Sequence, residues 1–372
     1  MTTTILHNRS YLDLKPYSHR VALALFFVLL ALLPWQTSQA QERTKLQQKL
    51  AQVDSVRRII RARADSNRYI HFADSLLDQR DARARLKYDT TYIGVPRERW
   101  TVKARLNLSG NDLLEKGISG GQETRTEMMA AHKLTLSFSV GYRGLTFGLS
   151  ANPLKWAGKN KDFEYNLNSY GRKFGFDVVY TTANTFSGTY DHGTQRYDIE
   201  SGSVSQRLAN LNAYYAFNHR RFSYPAAFSQ SQVQLRSAGS WLLAASVVGC
   251  ELKYKEGVGG SESPKRIRYA NVGLGGGYGY NLVRGRWLIH GSVTSELVAV
   301  SWSRMEVGEE QMRMPYRFPC FIVQGRAAAI YSWKNYFMGL TGVCHFSNVG
   351  DKEQLSIYSV KWRVRGILGL RF

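Results

Sequence analysis

Acidic residues, cysteines and long apolar runs are scarce in this sequence of 372 residues, and each shortage excludes something. Cys250, Cys320 and Cys344 are odd in number and widely spaced, which rules out a disulfide framework or a metal-ligand pattern; they read as small apolar strand residues. After Leu33 no apolar run is long enough for a membrane-spanning helix. No G-x-G-x-x-G spacing with a following helix is present, so a nucleotide loop is excluded, and no cofactor is expected. Asp and Glu number 28 against 50 Lys and Arg, a formal charge of +22. In a cytosolic chain that excess would suit nucleic acid.

What is present at the start argues against the cytosol. Arg9, Lys15 and Arg20 precede an apolar run from Val21 to Leu33, and Ser38-Gln39-Ala40 offers a small-x-small cleavage site. This is the layout of a cleavable export signal over residues 1–40, with the mature chain starting near Gln41. No Cys stands at the cleavage site for a lipoprotein anchor. An exported chain meets phospholipid and lipopolysaccharide head groups, phosphorylated solutes and acidic glycans rather than nucleic acid.

Residues 42–88 contain no Gly or Pro, and Leu46, Leu50, Val53, Ile60, Ala64, Leu76 and Leu77 recur at helical spacing among cations. A periplasmic helical segment over 41–90, solvated with one docking face, is expected. From Tyr92 onward the period becomes two. In "RWTVKARLNL" Trp100, Val102, Ala104, Leu106 and Leu108 share one face, and Lys103, Arg105 and Asn107 the other. "HKLTLSFSVGYRGLTFGLSANP" (132–153) reads as two alternating strands around a tight turn, and similar segments recur near 172–182, 206–217, 239–250, 268–281, 286–300, 320–332, 336–346 and 356–372. Tight turns at Arg143-Gly144, Arg284-Gly285 and Trp333-Lys334-Asn335 alternate with polar stretches such as "KYKEGVGGSESPKR", "SRMEVGEEQMRMP" and "SNVGDKEQL".

Such strands, with short turns on one side and longer loops on the other, are the signature of an all-β transmembrane antiparallel barrel over 91–372. With both barrel ends in the periplasm, an even number of strands must separate 144 from 284. Only five are clear, so a sixth is expected within "TFSGTYDHGTQRYDI", for a total of about twelve. In the last strand, even residues such as Trp362 and Leu368 face lipid, and Lys361, Arg363, Arg365 and Arg371 face the lumen. Phe372 resembles the C-terminal aromatic signal read by the barrel assembly machinery.

"YIGVPRERWTVKAR" (92–105), "FNHRRFSYPAAFSQSQVQLRSAGSWLL" (217–243) and "GGGYGYNLVRGRWLIHGS" (275–292) resemble domain of unknown function 4421, a family of expected barrels from Bacteroides-type bacteria. The resemblance covers roughly Tyr92 to Phe372 and implies the outer membrane of a Gram-negative cell. It implies no activity.

Two site candidates follow. "CHFSNVG" (344–350) resembles the His-x-Ser-Asn element of outer-membrane lipid A deacylases and phospholipases, with His345 as base, Ser347 as nucleophile and Glu353 or Asp351 as orienting acid. The alternation turns His345 and Ser347 inward, away from lipid, so a non-enzymatic barrel is preferred and the hydrolase is the alternative. The second candidate is the basic lumen. Lys103, Arg105, Arg363 and Arg365 lie on strands that pair at closure and form an anion-binding set, unless Asp177 and Glu296 neutralise it. The expected function is a structural or binding barrel, or a small anion-selective path, with outer-membrane lipids, lipopolysaccharide and an anionic ligand as partners. The glycines at 273, 275, 277 and 279 would make room for side chains from the opposite wall.

Overall fold

The computed structural model describes residues 75, 87–119, 121–142, 145–151, 162–255, 258, 264–351 and 354–372. The export signal, nearly all of the expected helical segment, the turn at 143–144 and Glu353 lie outside the described residues.

Alternating segments become strands, and most strands are longer than the sequence suggests. In chain order β1 (Ile93–Gly94) is followed by β2 (Trp100–Ser119), β3 (Gln122–Met129), β4 (Lys133–Tyr142) and β5 (Leu145–Ala151). Next come β6 (Phe163–Tyr170), β7 (Phe174–His192) and β8 (Gln195–Ala216), then a short helix α1 (Tyr224–Phe228) and β9 (Val233–Gln234). The remainder is β10 (Ala238–Tyr254), β11 (Pro264–Arg284), β12 (Trp287–Val307), β13 (Glu310–Met312), β14 (Phe321–Trp333), β15 (Tyr336–Asp351) and β16 (Leu355–Arg371). The stretches at 303–315 and 347–355, expected as loops, are largely strand.

Hydrogen bonds close one antiparallel barrel. β16 pairs with β2 from Arg371↔Thr101 to Leu355↔Gly117. Trp100 N donates to Phe372 O at 2.8 Å and Phe372 N to Trp100 O at 2.9 Å, finishing the seam. The ring has ten strands, with β5, β6 and β13 additional, so a ring of twelve is not what closes. The reason lies between β2 and β7. β3 continues into β4 after a break at 130–132, and β3 pairs with both β2 and β7. β4 instead carries β5, while β7 carries β6, so two short strands enter the wall at one end only. The expected extra strand within 185–199 is not separate: those residues are the projecting tips of β7 and β8, joined at Gly193 with φ 58°. The sixth strand is β6.

The outer face is apolar, with Leu106, Phe138, Val140, Leu243, Leu274, Val293 and Leu368 all exposed. Aromatic pairs encircle the end that carries the tight turns: Trp100 with Tyr142, Phe174 with Tyr215, Trp241 with Tyr278, and Trp287 with Tyr331, at centroid separations of 4.7 to 5.2 Å. Both features fit the lipid-facing surface of a membrane barrel.

The interior is filled. Toward the far end Leu113, Met128, Phe186, Val204, Leu252, Ile267 and Ile357 form one apolar core. At the turn end the chain between β8 and β10 folds into the barrel as a plug. Ser223 caps α1, its hydroxyl accepting from Ala226 N at 3.2 Å, and Pro225 supplies a ready-made helical φ in the first turn. Phe222 is 0% and Tyr224 2% exposed. Burying each such aromatic contributes about 1.5–3 kcal/mol. Tyr224 donates to Ser292 Oγ at 2.8 Å, and Asn281 Nδ2 to Ser223 O at 3.0 Å and Gln234 Oε1 at 2.9 Å. β9 then pairs with β1 across the mouth.

The glycine-rich wall of β11 serves this arrangement in part. A Cβ on Gly279 would lie 3.1 Å from the Phe222 ring, so Gly279 makes room for the plug. At Gly275 and Gly277 a Cβ would instead strike the backbone of β12, at Ser295 O and Val293 O. Those two positions record close approach of adjacent strands, not clearance for the opposite wall.

Candidate functional site

Between the plug and the far-end core lies a belt of charged and polar side chains. Odd residues of β2 and β16 face inward, so the alternation places Lys103, Arg105, Lys361, Arg363, Arg365 and Arg371 in the lumen. Register sets Arg365 opposite Asn107 and Arg105 opposite Ile367, which leaves Arg105 and Arg365 diagonal neighbours.

Their partners differ. Lys361 Nζ lies 3.3 Å from Glu164 Oε2 and also donates to the Thr181 hydroxyl. Arg363 Nη1 lies 3.7 Å from Glu164 Oε1 and donates to Asn166 Oδ1 at 2.6 Å. Lys103 donates to Ser229 O and Arg371 to Gln230 O, so both hold the plug through neutral carbonyls. Arg365 Nε donates to Asn107 Oδ1 at 2.6 Å. Arg105 Nε is buried without a hydrogen-bond partner, and neither Arg105 nor Arg365 has an ion pair among the described residues.

The carboxylates expected to neutralise the cluster do other work. Asp177 is held by Arg326, with Oδ2 2.5 Å from Nη2. Glu296 receives Gln324 Nε2 at 3.4 Å, and its second oxygen has no partner. Gln324 also donates to Asn212 Oδ1 at 2.6 Å and Ser246 Oγ at 3.0 Å, tying β14 to β8 and β10 across the lumen. A cavity lined by Tyr214, Tyr224, Ser292, Thr294, Gln324 and Arg326 has room for about one water. Glu164, which the sequence reading missed, is the carboxylate that belongs to the basic cluster. Its signal was legible: "FEYNLNSY" alternates Phe163, Tyr165 and Leu167 outward with Glu164, Asn166 and Asn168 inward.

Of the hydrolase motif the described residues include His345, Ser347 and Asp351, and they are not brought together. His345 stands opposite Gln324 and Lys361 in register, on the inward-facing set of β15, while Cys344 beside it is exposed. His345 Nδ1 is buried without a partner, and no hydrogen bond joins it to Ser347 among the described residues. Asp351 is six residues along the same strand, about 20 Å at ~3.3 Å per residue, which is out of reach of the imidazole. Among the described residues no group of His, Cys, Asp and Glu is arranged to hold a metal.

Comparison with solved structures returns barrels. The toluene transporter TodX of P. putida is 8% identical, covering 74% of this chain and 91% of its own, at a TM-score of 0.24. The translocator domain of the autotransporter NalP from Neisseria meningitidis is 13% identical over 81% and 98%, at 0.30. A loop-deleted OmpT, an outer membrane protein of Vibrio cholerae, is 9% identical over 72% and 100%, at 0.20. The architecture here rests on the hydrogen-bonded ladders themselves. No curated protein matches the sequence. A family pattern does match, over residues 87–372, and it takes in the whole barrel and the Phe222–Ser231 plug stretch: the chain belongs to the family described as Domain of unknown function (DUF4421).

Proposed function

We propose that this chain is an outer-membrane barrel with a closed, basic lumen that binds a small anion, and not an open path. The apolar outer face and the aromatic girdle support the membrane reading, with the turn end toward the periplasm. The observation that carries the anion site is the pair Arg105 and Arg365. Both face inward on adjacent strands, and Asn107, a neutral group, is the hydrogen-bond partner of Arg365. Nearby carboxylates are engaged elsewhere, Glu164 with Lys361 and Arg363, and Asp177 with Arg326. Two like charges in a partly desolvated space favour an anion between them, by an amount that grows as the local dielectric falls. The plug and the far-end core argue against steady conduction.

Inorganic phosphate added to the purified chain in detergent should raise its unfolding temperature, and Arg105→Gln with Arg365→Gln should remove the effect. Wild-type protein should fractionate with the outer membrane, run heat-modifiably on gels and stay electrically silent in planar bilayers. Phosphate-independent stability in the wild type, or a steady open-channel current, would overturn the reading.

A further inference from the structure

The outer wall at the far end carries a second charged site, and it faces away from the lumen. Four adjacent strands, β8, β10, β11 and β12, are in continuous register there, so their outward residues form rows across the sheet. One row reads Arg207, Glu251, Arg268, Arg304. The next row outward reads Ser205, Lys253, Arg266, Glu306. Five cations thus surround two carboxylates. Glu251 alone meets Arg207 at 3.5 Å, Lys253 at 4.0 Å, Arg266 at 3.4 Å and Arg268 at 3.1 Å. One carboxylate cannot neutralise four cations. Arg268 and Arg304 are directly opposite each other, an unfavourable like-charge pair unless an anion lies over them.

The rows beneath continue the pattern with different chemistry. Directly toward the turn end the row is Ala209, Gly249, Ala270, Trp302. It is a shelf of small residues ending in an exposed indole, and a Cβ on Gly249 would meet nothing within 4 Å. Below it Leu211, Val247, Val272 and Val300 are all exposed and apolar. Rows are two residues apart, about 7 Å. From the far end inward the wall therefore offers cations, then a flat surface beside an aromatic ring, then an apolar face.

We infer that this wall binds a phosphorylated glycolipid of the outer leaflet, of the lipid A class. Phosphate lies on the Arg268–Arg304 row, a sugar ring rests on the Ala209–Gly249–Ala270 shelf against Trp302, and acyl chains follow the apolar row. Arg guanidinium groups suit phosphate because they offer paired donors in a planar fork. The shelf and the indole favour a glycolipid over a glycerophospholipid, which carries no sugar ring to place there. This inference rests on the outer-membrane reading proposed above, but its test uses purified protein in detergent, so it succeeds or fails separately from fractionation.

The full chain is titrated with diphosphorylated lipid A, with its dephosphorylated form and with phosphatidylglycerol, and binding is read by native mass spectrometry. Lipid A should bind, and removing its phosphates should weaken binding at least tenfold. Arg268→Gln with Arg304→Gln should do the same while heat-modifiable migration is retained, and Arg125→Gln, on β3 away from the wall, should not. If the double variant does not fold, Arg207→Gln and Lys253→Gln, at side chains 62% and 38% exposed, take its place. Trp302→Ala should weaken lipid A binding and leave phosphatidylglycerol unaffected. Equal binding by wild type and charge variants, indifference to the phosphates, or phosphatidylglycerol binding as tightly as lipid A would overturn the inference.

Discussion

Arg326 Nη2 lies 2.5 Å from Asp177 Oδ2, with both side chains 5% exposed, so an ion pair from β14 to β7 crosses the closed lumen. Arg326 also donates to Gln324 Oε1 at 3.0 Å and stands 5.9 Å from the ring centroids of Tyr170 and Tyr224. The pair thus links the wall to the plug. It also withholds Asp177 from the cations of β2 and β16, which is why the basic cluster keeps an excess of charge.

Removing one partner of a buried pair leaves the other charge uncompensated, at a cost of about 3–5 kcal/mol. Asp177→Asn should therefore lower the urea midpoint of the folded barrel strongly. Asp177→Leu combined with Arg326→Met should recover much of the loss, because no unpaired charge then remains. A double variant as unstable as the sum of the single ones would show that the pair has no such coupling.

Plug displacement is the next expectation. Gly279 lies against Phe222, so Gly279→Leu should push the plug out of its seat without deleting any of it. Lys103 and Arg371 would then lose Ser229 O and Gln230 O as acceptors and line an opened lumen. Planar-bilayer recording should show current in this variant, anion-preferring, where the wild type is silent. A silent, well-folded Gly279→Leu barrel would mean that the far-end core alone closes the path.

Closure of the barrel depends on Trp100 and Phe372, whose backbones exchange two hydrogen bonds. Phe372 is also 4% exposed. Deleting Phe372 should reduce the heat-modifiable folded fraction, while Phe372→Leu, which keeps both backbone bonds, should lose less. Equal folding of the deletion and the wild type would count against a role for this seam.

The wall was legible in the sequence and the contents of the barrel were not. Period-two alternation is local, so Trp362, Arg363, Val364 and Arg365 disclose their faces without knowledge of any neighbour. Inward residues find partners across the barrel, and those pairings depend on register and closure. Asp177 is acidic and inward, which makes it a candidate to neutralise the β2–β16 cluster, yet Arg326 holds it. The plug is not disclosed by periodicity, because 217–237 shows no period of two. Its length for a turn-side link, its run of Phe222, Tyr224 and Phe228, and its Ser-Tyr-Pro helix start all argued for a buried element. Parity asks for one more strand between 144 and 284 without saying where, and "TFSGTYDHGTQRYDI" offers a competing place for it; among the described residues that strand is β6.

Glu164 gives the sharpest test of the anion site, because its removal should act in the opposite direction from removal of an arginine. It lies beside Lys361 and Arg363 and is the carboxylate nearest in kind to the Arg105–Arg365 pair, reaching the lumen from the half-length strand β6. In a medium of effective dielectric about 20, unit charges 4 Å apart interact by about 4 kcal/mol, and the effect falls inversely with distance. Glu164→Gln removes a repulsion toward an incoming anion and frees two cations to attract it. Even a third of that contact value, about 1.4 kcal/mol, is a tenfold change in affinity. Calorimetric titration with inorganic phosphate should therefore show binding about tenfold tighter to Glu164→Gln and abolished in Arg105→Gln with Arg365→Gln. Adding Glu164→Gln to that arginine double variant should restore part of the binding through Lys361 and Arg363. If Glu164→Gln weakened phosphate binding while the barrel stayed folded, Glu164 would be organising the site and not competing with its ligand, and the electrostatic account of the lumen would be wrong.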